Sequence, residues 1–219
     1  MIRSNYEQGL RALHISIIQM GGFVERAIED SIKAFQNNDM ELCEEIVRRD
    51  KEIDEIGKSI ESKCLWLIAR EQPVASDLRS ITSALKMVTD MESIGDAAAD
   101  IATLTMRIED KNAFSGSEHI GQMADVAVSM VHDAVTAYVN SDLLLAGAVE
   151  KRDDEVDDLF NLIKQEISNV FKAEEQNTDN AIDYLLIAKY LERIADHAVN
   201  ICEWVEFSQT GKHKNTRIF

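Results

Sequence analysis

The feature that most constrains this chain is an internal repeat that relates its two halves. The matching segments are QNND (36–39) with VNSD (139–142), RRDKEID (48–54) with KRDDEVD (151–157), and DMESIGDAAADI (90–101) with YLERIADHAVNI (190–201). The first two pairs lie 103 residues apart and the third lies 100 apart, which indicates a loop about three residues shorter in the second half. A chain of this kind is expected to fold as two copies of one supersecondary unit.

Each copy is predicted to contain three long helices, because the 219 residues include 9 Gly and a single Pro. In the second helix the apolar positions recur at steps of three, four and seven, which is typical of a helix with one buried face. These positions are Leu42, Ile46, Ile53, Ile56, Ile60 and Leu67. The predicted helices run over about 6–35, 39–70, from beyond Pro73 to about 108, and then over 122–139, 142–171 and 180–207.

The predicted fold is all-α, with two antiparallel three-helix bundles related by internal duplication. The polar segment EDKNAFSGSEHIG (109–121) is the expected linker between the halves. The first bundle is therefore placed at residues 1–111 and the second at 112–219. Asp39 and Asp142 are expected to cap the second and fifth helices. The basic tail that follows the sixth helix is expected to be frayed.

The charge balance restricts the classes of partner. The chain has 40 acidic and 23 basic residues, a net charge of -17. This argues against nucleic acid and against adsorption to anionic lipid, both of which require clustered Lys and Arg. Three isolated cysteines, Cys43, Cys64 and Cys202, indicate reduced thiols. No stretch approaches the roughly 20 apolar residues of a membrane span, so a cytoplasmic location is expected.

Repeat-related acidic pairs are the candidate site. Each pair is spaced by four residues on a predicted helix, so its two carboxylates project from one face. The pairs are Asp50 with Asp54, Glu92 with Asp96, Asp153 with Asp157, and Glu192 with Asp196. Close carboxylates beside a core require cations or protons, because burial and mutual repulsion both disfavour ionisation. Oxygen-rich clusters suit Mg, Ca, Mn, Fe or Zn ions.

Several alternatives remain open at the level of sequence. A solvated acidic face explains many single pairs of this kind. A carboxylate-bridged metalloenzyme is less favoured, because none of the five histidines follows a Glu by three residues. No phosphate-binding glycine loop or nucleophile motif is present, so neither an enzyme nor an organic cofactor is predicted. A helical adaptor without metal is the other alternative. Arg193 stands between two acids and is expected to neutralise them, and His197 is either a ligand or a locally hydrogen-bonded residue.

The segment LERIADHAVNI (191–201) closely resembles the signature of the PhoU family, and REQPVASDLRSI (70–81) resembles the family's segment before its third helix. The resemblance covers essentially the whole chain. It implies a cytoplasmic protein, often a homodimer, that reaches membranes only through partners. The family's members are negative regulators of the phosphate-starvation response that connect cytoplasmic subunits of a phosphate ABC transporter to a sensor histidine kinase.

The resemblance also implies that iron, zinc or other metal ions bind the duplicated acidic motifs. Carried over, it assigns metal binding to Glu92, Asp96, Glu192 and Asp196, with Asp50, Asp54, Asp153 and Asp157 contributing from neighbouring helices. The first half departs from the family pattern, since Ser93 stands where an Arg is common, and Ala97 and Asp100 replace an aromatic residue and an Asn. The loss of a positive group and the added carboxylate are expected to make the first-half site more acidic.

Overall fold

The computed structural model describes residues 2–108, 117–172, 178–214 and 216–217 of the protein. Its six helices are α1 (Ile2–Asn37), α2 (Met40–Glu71), α3 (Ser76–Thr105), α4 (Ser117–Asn140), α5 (Leu143–Lys172) and α6 (Thr178–Thr210). The predicted all-α fold with internal duplication is confirmed, and α4 begins five residues before its predicted start. Within the described part of the chain, no helix has the length and apolar character required to span a membrane.

The position of the linker is only partly visible. Most of the predicted linker, 109–121, lies outside the described residues, and α4 already starts at Ser117 inside it. The predicted boundary between residues 111 and 112 also lies outside them and stays a prediction.

The tight turns before α2 and α5 are built in the same way. Asp39 Oδ1 accepts a hydrogen bond from the Leu42 amide at 3.0 Å, and Asp142 Oδ1 accepts from the amides of the second and third residues after it. Asn38 and Ser141, the residues before these caps, have φ angles of 58° and 53°. The left-handed conformation reverses the chain, and the cap then satisfies amides that the new helix leaves unpaired.

The two bundles share one hydrophobic core. The most extensive helix contact in the described residues is between α3 and α6, one helix from each repeat. Ile94 and Ala98 of α3 and Ile194 and Ala198 of α6 are completely buried. Small alanine side chains allow helices to approach closely, while the isoleucines fill the space between them. One continuous apolar cluster therefore includes residues of all six helices.

Polar contacts at the edge of this core fix the direction of α3 relative to α6. Arg79 Nε at the start of α3 donates to the Ser208 carbonyl near the end of α6, at 3.4 Å. Just beyond the end of α3, an Arg107 guanidinium nitrogen lies 3.1 Å from Asp183 Oδ1 near the start of α6. The two helices therefore run antiparallel over nearly their full length.

The C-terminal tail differs from the prediction of a frayed terminus. Lys212–His213 (β1) and Thr216–Arg217 (β2) form a two-stranded antiparallel hairpin. The His213 ring lies edge-on to Trp204 with 3.9 Å between ring centroids. Lys214 Nζ lies 3.2 Å from Glu203 Oε2, an ion pair without hydrogen-bond geometry. The prediction of a frayed tail was wrong because the partners that hold the hairpin are on α6 and come close only in the fold.

Replacing a buried side chain at the contact of α3 with α6 is expected to destabilise both repeats together. Ile194→Ala removes a completely buried side chain, so we expect a loss of about 2–5 kcal/mol in the free energy of unfolding. Urea denaturation followed by circular dichroism measures this loss. Ile182→Ala on the same helix is the matched control, because Ile182 is 45% exposed. Equal losses in the two variants would contradict the shared core.

Candidate functional site: two repeat-related acidic clusters

The eight predicted acids come together as two clusters, one in each repeat. The first acidic cluster lies between α2 and α3 and consists of Asp50, Asp54, Glu92 and Asp96. The second acidic cluster lies between α5 and α6 and consists of Asp153, Asp157, Glu192 and Asp196. Each cluster thus combines two pairs that are far apart in sequence, one from each of two packed helices.

The helical pattern explains why these carboxylates lie at the edge of the core. Asp50 and Asp54 are both half-buried, and they flank Ile53, which is almost completely buried. On α3, Glu92 and Asp96 likewise stand on either side of the buried Ile94. A side chain next to the buried stripe of a helix must emerge at the boundary between core and solvent. The fold of each repeat therefore places both rows at the same boundary.

Repulsion within the first acidic cluster perturbs its ionisation. Burial, followed by the charges of Asp96, Asp54 and Asp100, raises the pKa of Asp50 to about 6. Burial is also the main cause that raises the pKa of Glu92 and of Asp96. Asp50 Oδ1 is buried and has no hydrogen-bond partner among the residues that the structure describes. The cluster therefore holds more negative charge than its surroundings compensate.

The second acidic cluster repeats this behaviour. Burial, followed by the charges of Asp196, Asp157, Glu192 and Asp154, raises the pKa of Asp153 to about 6. The pKa of Asp196 is also raised, first by burial and then by Glu192. Asp50 and Asp153 are equivalent in the repeat, so the same perturbation occurs at the same place in both copies.

Gly57 is part of the first site although sequence reasoning did not select it. It is buried on α2, and a Cβ atom at this position would lie 2.9 Å from the carboxyl carbon of Glu92. The absence of a side chain at Gly57 therefore allows the Glu92 carboxylate to pack directly against the α2 backbone. Phe160 occupies the equivalent position on α5. A glycine inside a predicted helix costs helix stability, and this was the available signal.

Residues of α6 reach across to the first acidic cluster. Hydrogen bonding with Asp100 raises the pKa of the Tyr190 hydroxyl, and the Arg193 guanidinium lies 5.5 Å from the Tyr190 ring centroid. The charge of Arg193 opposes the upward shift of the Asp96 pKa. Arg193 was expected to neutralise the acids on its own helix, but in the structure its charge acts on Asp96 of the other repeat. The first acidic cluster, predicted to lack a positive group, thus has a guanidinium beside it.

A second contact between α3 and α6 is related by the repeat to the one between Tyr190 and Asp100. His197 Nδ1 lies 2.9 Å from Asp90 Oδ1, and Asn200 Nδ2 donates to the same oxygen at 3.3 Å. Because a carboxylate only accepts hydrogen bonds, Nδ1 carries the proton in this contact. In the repeat, Asp90 corresponds to Tyr190 and Asn200 corresponds to Asp100. The acidic acceptor is on α3 in both contacts, and the donor is on α6. His197 therefore has a partner on α3, which the sequence alone did not identify.

The clusters have the donor chemistry of a cation site but lack a preformed coordination shell. Their ligands are carboxylate oxygens, which suit hard divalent cations, and a cation would relieve the repulsion described above. Within the described ranges, however, no three His, Cys, Asp or Glu side chains converge closely enough to hold a metal ion. Binding would therefore require carboxylates of the two helices to rotate towards one another.

Comparison with known proteins identifies relatives over nearly the whole chain. The model of the PhoU domain matches twice, at residues 17–105 and 120–205. A "phosphate-specific transport system accessory protein PhoU homolog" of Clostridium acetobutylicum is 38% identical over 213 residues, covering 97% of each chain. The protein of the same description from Caulobacter vibrioides is 34% identical, covering 95% of this chain and 91% of its own.

Solved structures agree with this assignment. The crystal structure of PhoU from Pseudomonas aeruginosa superposes with a TM-score of 0.91 at 29% identity, and the match covers 94% of this chain and all of that one. The phosphate transport system regulatory protein PhoU from Streptococcus pneumoniae gives a TM-score of 0.89 at 29% identity, covering 95% of this chain and 98% of its own.

The raised pKa values predict how stability depends on pH in metal-free protein. Asp50 and Asp153 have pKa values of about 6 in the folded protein, compared with an ordinary pKa of 3.8 for aspartate. Folding therefore takes up protons between these values, and the associated stability is present below about pH 4 and lost as pH rises through about 6. With a chelator present, we expect the free energy of unfolding to fall between about pH 4 and pH 6. In Asp50→Asn/Asp153→Asn this fall should be smaller.

The matched control changes the same charge elsewhere. Glu118→Gln/Asp125→Asn alters two exposed acids on α4 that belong to neither cluster, and it should keep the wild-type slope between about pH 4 and pH 6. Urea denaturation at several pH values provides both slopes. If the control flattened the curve as much as the cluster variant does, overall charge and not local repulsion would be responsible.

Proposed function

Because the chain belongs to the PhoU family, we propose that it is a negative regulator of phosphate uptake and of phosphate-starvation signalling. In this proposal it works in the cytoplasm, without catalysing a reaction, and it couples the cytoplasmic subunits of a phosphate ABC transporter to a sensor histidine kinase. The observation that carries the proposal is that both repeats match the PhoU domain, while relatives matched over nearly their full length are described as phosphate transport accessory proteins.

The structure supports a role in binding partners. Six long helices around one core make a rigid body that is suited to docking. Both acidic clusters offer exposed carboxylates at the surface, including Asp96 and Asp196, and the chain carries a net charge of -17. Such a surface favours basic partner surfaces and speeds their encounter. We propose that the transporter and the kinase present these basic surfaces, that the protein is a homodimer, and that it meets the membrane only through its partners.

We further propose that both acidic clusters bind metal ions, with Mg, Mn, Fe or Zn as candidates. The first ion or ions would be held by Asp50, Asp54, Glu92 and Asp96, and the second by Asp153, Asp157, Glu192 and Asp196. A bound cation would supply positive charge between two packed helices. Two observations support this proposal. The pKa of an aspartate is raised in each cluster, and the buried Asp50 Oδ1 has no hydrogen-bond partner among the described residues. In this role the metal stabilises the acidic surface and carries out no reaction.

An adaptor that functions without metal is the second candidate. It is favoured by one observation, that no set of three ligand side chains in the described residues is close enough to hold an ion. In that case the acidic surface would itself be the docking site for basic partners.

Deleting the gene in the host organism tests the regulatory role. With abundant phosphate in the medium, we expect alkaline phosphatase activity to rise several-fold or more on deletion and to return to normal when the wild-type gene is restored. Glu192→Gln/Asp196→Asn should restore repression poorly, because it removes charge from the second acidic cluster. Glu118→Gln/Asp125→Asn should restore it fully. Unchanged activity on deletion would argue against the proposed role.

Elemental analysis tests the metal proposal. Protein purified without chelator or nickel resin is expected to contain at least one metal ion per chain. Adding the metal to chelated protein should raise the melting temperature in a concentration-dependent way. Asp96→Asn/Asp196→Asn should weaken both effects, while Glu118→Gln/Asp125→Asn should not. Well below one metal per chain, together with no stabilisation by Mg, Mn, Zn or Fe, would leave the metal-free adaptor as the explanation.

A further inference from the structure

A surface groove runs between α1 and α4, away from both acidic clusters. The two helices are antiparallel, since the rings of His14 and Tyr138 lie 5.1 Å apart and, three turns further along α1, Glu25 lies 3.2 Å from His132. Between these two contacts an open cavity of about 360 Å³ lies in the groove. Its walls include Ile18, Gly22, Glu25, His132, Val135 and Val139.

The cavity is bordered by exposed apolar side chains. Ile18 is 44% exposed and Val139 is 36% exposed. Ile15, which is 55% exposed, precedes Ile18 by three residues, and Gly22 follows it by four, so all three lie on one face of α1. Single exposed apolar residues are common on protein surfaces, whereas a group of them around a cavity marks an interaction site.

The other end of the contact between α1 and α4 shows that the fold does not require these apolar residues. The repeat relates the two helices to each other at an offset of 103 residues. The repeat equivalents of Ile15, Gly22 and Val139 are Glu118, Asp125 and Gln36, which are all polar and exposed. Polar residues are therefore tolerated at the same structural positions, and the apolar groove at one end has a cause other than folding.

Gly22 leaves space for a close contact. A Cβ atom at Gly22 would meet nothing within 4 Å, whereas a Cβ atom at the adjacent Gly21 would lie 3.0 Å from Val135 Cγ1. The packing of α4 thus explains Gly21, but no neighbour in the described part of the chain explains Gly22. Because a glycine inside a helix lowers helix stability, its presence on an open groove indicates that another backbone approaches here.

Glu25 gives one end of the cavity a negative charge. It follows Gly22 by three residues, so it continues the same face of α1. Its only ion-pair partner among the described residues is His132, and no Lys or Arg neutralises it there. The chain as a whole carries a net charge of -17. A partner that fills the groove is therefore expected to place a Lys or Arg side chain at Glu25.

We propose that the α1–α4 groove binds an amphipathic helix of a partner protein. Its apolar residues, spaced by three and four, would pack over Ile15, Ile18 and Gly22, and a Lys or Arg about one turn beyond them would lie at Glu25. A second copy of this chain fits less well, because a two-fold contact would place groove against groove and leave the space at Gly22 unfilled. The inference rests on the proposed function in requiring a protein partner, and it adds a docking surface separate from the acidic clusters.

Photo-crosslinking in host cells identifies the occupant of the groove. The full chain carries p-benzoylphenylalanine in place of Asn140, an exposed residue that lines the cavity. Asn37, its exposed repeat equivalent on α1, is the control position. Mass spectrometry then identifies the crosslinked peptide. We expect position 140, and not position 37, to capture a segment of another protein that has apolar residues at steps of three and four and a Lys or Arg about one turn beyond them.

Substitutions in the groove test whether this capture depends on the proposed contacts. Gly22→Leu should lower the yield of the crosslink about 10-fold or more, because a side chain fills the space that the partner helix requires. Ile15→Gln/Val139→Gln should lower it to a similar extent by removing the apolar border. Glu25→Gln should also lower the yield, because it removes the charge that attracts the basic residue.

Matched controls carry the same changes elsewhere. Gly147→Leu alters a glycine of α5 at which, as at Gly22, a Cβ atom would meet nothing within 4 Å. Ile182→Gln/Leu186→Gln replaces two apolar residues of α6 that are 45% and 40% exposed. Both variants should keep the wild-type yield. Circular dichroism confirms that each variant is folded.

The proposal would be overturned by any of three results. One is a yield at Asn140 no higher than at Asn37. Another is a captured peptide that belongs to a second copy of this chain or lacks the apolar and basic pattern. The third is an unchanged yield in folded Gly22→Leu and Ile15→Gln/Val139→Gln. The alkaline phosphatase assay is independent, since derepression on deletion without capture at Asn140 would remove this inference and leave the proposed function standing.

Discussion

The antiparallel packing of α3 against α6 holds the two repeats together, and the other features of the molecule depend on it. Its facing residues are isoleucines and alanines with no exposed surface, so the contact is close and apolar. Around this contact the remaining helices form a single core instead of two independent ones. Because each repeat contributes one of the two helices, neither repeat buries its third helix completely by itself.

This contact also determines which residues surround each acidic cluster. Tyr190 and Arg193 belong to the second repeat, yet they lie beside Asp100 and Asp96 of the first. His197 is likewise held by Asp90 from α3. A substitution on one helix therefore changes the electrostatics of the other copy's site. Ser93, the repeat equivalent of Arg193, donates to the Thr89 carbonyl on its own helix and does not reach across to the other copy.

The duplication provides an internal comparison of what the two copies retain. Both keep the acidic rows, the capping aspartates and the ion pair between an arginine of the second helix and an aspartate of the first. They differ in the size of the side chains that pack beside the acidic clusters. Gly57 makes room for Glu92, whereas Phe160 stands in the other copy. Gly95 lets Ile53 pack directly against α3, whereas Ala195 and the smaller Val156 occupy the equivalent positions. The two copies thus differ in side-chain packing beside the acidic clusters while both keep the acidic rows, the caps and this ion pair.

Helix periodicity, breaker residues and caps are local properties, and for that reason the sequence determined the six helices, their order, the two capped turns and the duplication. It also determined which acids share a helix face, because a spacing of four residues has one geometric meaning in a helix. Only the tertiary structure decided that each cluster joins two helices and that the charge of Arg193 acts on Asp96. It also decided that Gly57 accommodates Glu92 and that the tail forms a hairpin against Trp204. These contacts join residues far apart in the chain, and no local pattern specifies which distant side chain will fill a given space.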